Sequence, residues 1–419
     1  MNEKISIIIP CYNAGKTLAR TLNSVREQDY KNLEVVIVND GSADDTLQVA
    51  NKYAGIDPRF KVINQKNAGV SVARNNGLKN ITGNYVVFLD ADDNYTHPFV
   101  LSNMAKELER TGADMVVCNF THPCFEQYLP AGVYDMTDDN LFMVFYQDFF
   151  AHGVPWNKIT RRKCLTEEFV VGVKFNEDEL FNLDNLHNIK KIALIDEVYH
   201  NYYCAPYNPN AEASAVNSLY SADKFWEKKC TIWHMGMKNY PYRVKSITKF
   251  FPEKLKDMQY VRCFDFFFWD FVMMAKNRVK EDYIACTLQG IFEEELFQQT
   301  IKDKERFGLK LKNFTVKDIN EFTRLAYYAF RDIKSYNKKL SMDKVLFGIF
   351  AKTFYDLTGH VNTIDIMAAS YMNLISKSTA EGRYTSNLFE MREMEKEENG
   401  YPVCLLENNM ESWLKLAGN

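Results

Sequence analysis

The sequence predicts an α/β fold built on a doubly wound, mostly parallel sheet, followed by a mainly α-helical C-terminal domain. Short apolar runs rich in β-branched residues recur through the first 118 positions, and segments with helical apolar spacing separate them. Beyond about residue 207 only the helical spacing persists.

The runs are Ile5–Ile9, Glu34–Val38, Phe60–Ile63, Tyr85–Leu89 and Met115–Cys118. Each is too short for a buried helix and is bounded by Asn, Asp, Gly or Pro, so each reads as a strand. Their apolar residues are continuous rather than alternating, which requires a sheet covered on both faces and linked by helical crossovers. Leu18, Leu22 and Val25 share one helix face, as do Leu101, Met104 and Leu108. From about 120 to 205 the pattern is irregular and aromatic. Tyr207-Asn208-Pro209-Asn210 then reads as a linker, dividing the chain into residues 1–207 and 208–419. In the second part Phe264, Phe267, Phe268 and Phe271, then Leu325–Phe330 and Val345–Phe354, carry the helical spacing.

Composition excludes several classes. With 419 residues, 46% hydrophobic, 14% aromatic and 25% charged, the chain is neither disordered nor fibrous. A net charge of −4 without long like-charge blocks gives no footprint for nucleic acid. Nine cysteines without a CxxC pair, and a start that leads directly into a strand, fit a reducing cytoplasm. No apolar stretch reaches the ~20 residues needed to cross a bilayer, which leaves only peripheral contact with the inner face of a membrane.

In such sheets ligands sit beyond the carboxyl ends of the strands. The fourth strand runs into Asp90-Ala91-Asp92-Asp93, an acidic cluster that is costly without a counter-ion. A hard divalent cation, Mn²⁺ or Mg²⁺, completed by substrate phosphates is one solution; a helix cap made by Asp93 and Asn94 is the other reading. The first strand ends in Pro10-Cys11-Tyr12-Asn13, the second in Asn39-Asp40-Gly41-Ser42, and the third leads to Asn67-Ala68-Gly69 with Arg74 on the following helix. A Tyr ring can stack a nucleobase, an Asp can accept from a base imide, and a Gly beside a helix N-terminus can admit a phosphate that Arg pairs. Taken singly, turn chemistry and packing explain each of these as well.

In order and spacing, Ser6-Ile-Ile-Ile-Pro-Cys-Tyr-Asn13, Val38-Asn-Asp-Gly-Ser42, Asn67-Ala-Gly-Val-Ser-Val-Ala-Arg-Asn75 and Phe88-Leu-Asp-Ala-Asp-Asp93 resemble the family-2 nucleotide-diphospho-sugar glycosyltransferases of the GT-A fold. The resemblance extends loosely through Trp156-Asn157-Lys158, Glu177-Asp178 and Tyr199–Tyr203. It implies a nucleotide-binding part up to about residue 118 and an acceptor-side part from about 119 to 207. It also implies that Pro10, Tyr12 and Asp40 hold the base, Asn67, Gly69 and Arg74 the ribose–diphosphate side, and Asp90 with Asp92 the ribose and metal-bound diphosphate, with Asn13 and Ala91 among the nucleotide-sugar contacts. Asp92 and Asp90 would be metal ligands, with His200 a further candidate. The position often held by Asp before the Gly-Ser turn is Asn39 here, which moves the base contact to Asp40.

Asp178 matches the family's general base. Independently, transfer with inversion needs one carboxylate opposite the leaving group, whereas a solvated helix start explains Glu177-Asp178-Glu179 on local grounds. Trp156, Asn157 and Glu177 are weaker acceptor-side candidates. The implied activity is transfer of a hexose or N-acetylhexosamine from a UDP-sugar to a glycan or lipid-linked glycan. That activity would serve cell-surface polysaccharide or glycoconjugate synthesis, with self-association through the helical domain open. Against a dinucleotide-dependent oxidoreductase stands the lack of any G-x-G. A nucleotidyltransferase and a catalytically silent sugar-nucleotide-binding scaffold are the alternatives.

Overall fold

The computed structural model describes residues 3–121, 131–138, 153–173, 176–203 and 232–255, with single positions between these segments and up to residue 296. The linker at Tyr207–Asn210 and the helical spacings at Phe264–Phe271, Leu325–Phe330 and Val345–Phe354 lie outside the described residues. Two compact units are present: Met1–Cys204 with Pro241–Pro252, and Ala205–Tyr240 with Glu253–Asn419. The sequence placed everything after residue 207 in a second domain; Pro241–Pro252 instead belongs with the first unit.

The first unit begins with β1 (Ile5–Cys11), α1 (Leu18–Arg26), β2 (Leu33–Asp40), α2 (Thr46–Ile56), β3 (Phe60–Gln65), α3 (Val70–Lys79) and β4 (Tyr85–Phe88). These strands pair in parallel in the order β3-β2-β1-β4. Every residue of β1 and β2 is buried, as continuous apolar runs require. Alternation then sorts side chains between two cores. Ile5, Ile7, Ile9, Val35 and Ile37 pack with Leu18, Leu22 and Val25 of α1, whereas Ile8, Val36 and Val38 pack with Ala73 of α3. A Cβ on Gly77 would collide with Ile8, so the missing side chain lets α3 lie close on β1.

Beyond β4 the sheet becomes mixed. β5 (Asn94–Tyr95), α4 (Val100–Thr111), β6 (Met115–Thr121), β7 (Gly132–Asp135) and β8 (Lys158–Arg161) follow, then α5 (Glu177–Leu186) and β9 (Lys191–Asn201). β8 lies antiparallel between β4 and β6, β6 pairs in parallel with β9, and β5 and β7 pair antiparallel with β9. Phe181 of α5 stacks on Phe169 at 3.9 Å and joins the core that also holds Ile8. The chain then forms α6 (Ile232–Lys238), in the second unit, where Trp233 donates through its indole to Glu294 at 2.6 Å. It continues into α7 (Tyr240–Phe250), whose body returns to the first unit.

One buried charge ties the starts of the strands together. Glu34, with 3% of its side chain exposed, accepts from Ser6 at 2.6 Å and from the Gly83 amide at 2.9 Å, and pairs with Lys4 and Lys61 at 3.2 Å each. Burial alone would raise its pKa, but the bonds from Ser6, Thr82 and Lys4 overcome this and hold it down at about 2. A depressed carboxylate contributes stability above its unfolded value and loses that contribution as pH falls through the folded one. Glu34→Gln is therefore expected to lower unfolding stability by roughly 3 kcal/mol at pH 7. The gap to the wild type should narrow on acidification from about pH 4.5 towards 2, as read by urea unfolding at stepped pH.

Candidate active site

At the carboxyl edge of the sheet, β1 and β4 part. Their ladder ends at the pair Ile8–Phe88, and Pro10, which has no N–H to donate, lies just beyond. This is the point where the strand order reverses, the place such sheets reserve for ligands. The Asp90–Asp93 turn follows β4 and is held from α1. Thr21 Oγ1 lies 2.9 Å from the Ala91 carbonyl and 2.6 Å from that of Asp93, while Arg20 donates to the Asp92 carbonyl and covers the Tyr203 ring at 3.7 Å.

The three carboxylates of the turn have separate surroundings. Asp93 is 1% exposed and accepts from His200 Nε2 at 2.8 Å and from the Tyr203 amide at 2.9 Å. Asp90 meets Arg74 at 3.2 Å. Asp92 is exposed, and among the described residues no cation pairs with its carboxylate. Desolvation by the surrounding chain, then the charges of Asp93 and Asp90, push it up to about 6. The helix-cap reading thus applies to no carboxylate of the turn: Asp93 anchors it inward and Asp92 faces outward.

His200 departs from expectation. Its ring is 1% exposed, bonded to Asp93 and stacked on Trp156 at 4.3 Å, so it supports the turn and is not available to a cation at Asp92. Trp156 and Asn157 also depart from theirs. Trp156 is 5% exposed between the rings of His200 and Tyr202, and Asn157 is 2% exposed and exchanges hydrogen bonds with Cys118. Both hold the β6–β8 junction and present nothing to an acceptor.

The other strand ends lock one another. The Asn13 amide donates to Ser42 Oγ at 3.0 Å and its side chain accepts from the Ala43 amide at 2.9 Å, which leaves the Tyr12 ring 56% exposed at the edge. Asp40, expected at a base, is 3% exposed and accepts from Gln65 at 2.8 Å and from the amides of Ala68 and Gly69 at 2.9 and 2.8 Å. Those amides lie in the loop just before α3, so Asp40 is spent on holding that loop. Gly69 takes φ 94°, a conformation that favours glycine, and it and Asn67 are exposed at the rim.

Arg74, expected at the diphosphate, is 6% exposed and bridges Asp90 at 3.2 Å and Glu177 Oε1 at 3.0 Å. Burial pulls its pKa down, but the charges of Asp90, Glu177 and Asp178 more than offset that. One guanidinium thus joins the donor-side turn to the start of α5. There Asp178 accepts from the Glu179 amide at 2.8 Å. Desolvation first, then the charge of Glu177, raise it well above the usual carboxylate range, to about 7. Lys158, buried on β8, is drawn down to about 7 by desolvation, opposed by the charge of Asp178. A carboxyl near neutrality is suited to general-base work. Among the described residues no group of three or more His, Cys, Asp or Glu forms a ready-made metal cage.

Residues 6–166 match the family model described as glycosyl transferase family 2. This segment is a family-2 glycosyltransferase domain. Its parallel β3-β2-β1-β4 core and mixed continuation form the GT-A-like sheet that the motifs implied. Glycosyltransferase GlyA of Streptococcus pneumoniae is 34% identical over 43% of this chain and 28% of its own length. The poly(ribitol-phosphate) β-N-acetylglucosaminyltransferase TarP of Staphylococcus aureus is 30% identical over 46% of this chain and 60% of its own. The chain therefore spans less than two thirds of either relative. The solved structure of S. aureus TarS 1-349 in complex with UDP-GlcNAc aligns over 91% of this chain and 93% of that one, at 20% identity and a TM-score of 0.45, a likeness too slight to carry an inference.

Arg20, Thr21 and Lys158 were not singled out from sequence as site residues. The one available signal was Thr21 interrupting the apolar face of α1 beside Leu22. The division between buried support and exposed site gives a direct contrast. Trp156→Ala is expected to cost roughly 3–5 kcal/mol of stability, as large aromatic deletions do, whereas Tyr12→Ala should stay within about 0.5 kcal/mol. Thermal unfolding of the two variants checks this.

Proposed function

We propose that this protein is an inverting, divalent-metal-dependent glycosyltransferase. It moves a hexose or N-acetylhexosamine from a UDP-sugar to a hydroxyl of a glycan or lipid-linked glycan, in the synthesis of cell-surface polysaccharide or glycoconjugate. The observation that carries this reading is the Asp90–Arg74–Glu177 bridge, with distances of 3.2 and 3.0 Å. It ties the Asp90–Asp93 turn, which carries the exposed Asp92, to the first turn of α5, which carries Asp178. TarP, named for N-acetylglucosamine transfer, supports the N-acetylhexosamine option.

The donor set fits a hard cation. Asp92 is exposed and crowded by Asp93 and Asp90, which hold its carboxyl up at about 6, and a cation would relieve that crowding. One or two carboxylates completed by substrate phosphates is the usual arrangement for Mg²⁺ or Mn²⁺, and it needs no protein cage. When bound, the ion supplies positive charge against the departing diphosphate. The remaining work belongs to the chain. Tyr12 offers an exposed ring for a nucleobase, and Arg20 and Thr21 keep the Asp90–Asp92 turn in place. Arg74 holds the donor and acceptor sides in register, and Asp178 takes the proton from the acceptor hydroxyl. Among the described residues no helix is long and apolar enough to cross a membrane.

Asp178→Asn should retain UDP binding and lose transfer by roughly 10²–10⁴-fold. Asp92→Ala should abolish stimulation by Mn²⁺. Because Asp178 works ionised, wild-type kcat/KM should fall as pH drops below about 7. UDP release from a panel of UDP-sugars with candidate acceptors measures all three. Full activity in chelator would remove the metal from this account, and no turnover with any donor and acceptor would favour a silent binding subunit.

A further inference from the structure

The first turn of α5 carries three successive carboxylates, Glu177, Asp178 and Glu179. A helix N-terminus favours negative charge there, yet three charges this close repel one another unless some are paired. The two outer ones are paired, from different directions. Arg74 of α3 takes Glu177 at 3.0 Å, and Arg243 of α7 takes Glu179 at 2.7 Å. The side chains of Arg243 and Glu179 are 2% and 8% exposed, and Asn176 donates a further bond to Glu179 at 3.0 Å. Burial pulls the pKa of Arg243 down, but Glu179 and then Tyr146 more than offset that, so it stays charged.

The remainder of α7 is attached independently. Phe250 stacks on His187 at 4.0 Å, Lys249 pairs with Glu167 at 3.0 Å, and Phe251 packs on Phe142 at 5.1 Å. With Arg243 at the start of α5 and Phe250 at its end, the two helices run side by side in the same direction. We propose that Arg243 is a positioning residue for the base, so that the working transferase unit extends through Pro252 and is incomplete without α7. This rests on the reading of Asp178 as the base. Arg243 acts through Glu179: it neutralises the carboxylate next to Asp178 and fixes the turn that aims it. The other charges facing Asp178 are Glu177 on its own helix, Arg74 on α3 with Asp90 behind it, and Lys158 on β8. Both Asp178 and Arg243 lie beyond the family match at residues 6–166, so this contribution comes from the chain's own continuation.

The test is carbon-13 NMR titration of aspartate carboxyls in the full-length chain, with Asp178 assigned by its absence in Asp178→Asn. Wild type, Arg243→Met, Glu179→Gln and the double variant form a cycle. Arg243→Met should move the Asp178 titration up by about one pH unit and Glu179→Gln should move it down. The double variant should return it to within about 0.3 of wild type, since it removes both charges. A rise of one unit corresponds to about fivefold less ionised base at pH 7, and transfer by Arg243→Met should fall to match. Should Arg243→Met fail to fold, Glu179→Gln and the double variant still carry different predictions, a downward shift and an unchanged titration. The proposal is overturned if the single variants leave the titration in place, or move it in the same direction while lowering the melting temperature, because a purely structural clamp behaves that way. Normal transfer by Asp178→Asn would instead sink the base assignment, and the titrations would still report whether Arg243 is coupled to Asp178.

Discussion

Arg74 is a buried cation whose position is fixed by two carboxylates from distant parts of the chain, Asp90 after β4 and Glu177 at the start of α5. A desolvated guanidinium is tolerated only when paired, and here carboxylates from both directions pair it. The placement of α3 makes this possible. Gly77 lets the helix settle onto β1 against Ile8, and Asp40 holds the loop that leads into it. The turn after β4, α3 and the start of α5 are thereby tied through one side chain.

The carboxylates of the edge divide into those that build it and those left to act. Asp40 answers the amides at the start of α3, Asp93 answers His200 and Tyr203, and Glu177 and Glu179 answer arginines. Asp92 and Asp178 have no ion pair among the described residues, and both are raised by desolvation and neighbouring charge. In the proposed function Asp92 draws the cation and Asp178 acts as the base near neutral pH.

Local sequence carried much of this fold. Ile5–Ile9, Glu34–Val38 and Tyr85–Leu89 read as buried strands because continuous apolar runs between polar breaks admit little else, and the strand-end motifs follow those strands. What local sequence could not show was which polar residues face one another. Arg74 is 103 positions from Glu177, and His200 is 107 from Asp93. Nothing near either residue distinguishes a buried ion pair from a phosphate contact or a metal ligand. Trp156 had the same ambiguity, resolved by the rings of His200 and Tyr202 on either side of it. The antiparallel insertion of β8 into a parallel sheet, and the return of α7 to the first unit, are likewise long-range facts with no local signature.

In the proposed function the exposed carboxylate after β4 receives the cation and the nucleotide while the buried groups beneath it serve as support. Anomalous diffraction at the manganese edge, from crystals of the full chain grown with UDP and Mn²⁺, tests that claim most directly. The account predicts a manganese peak on the Asp92 carboxylate, the uracil against Tyr12, and His200 still bonded to Asp93. A manganese peak on His200, or UDP bound with no metal at Asp92, would contradict it.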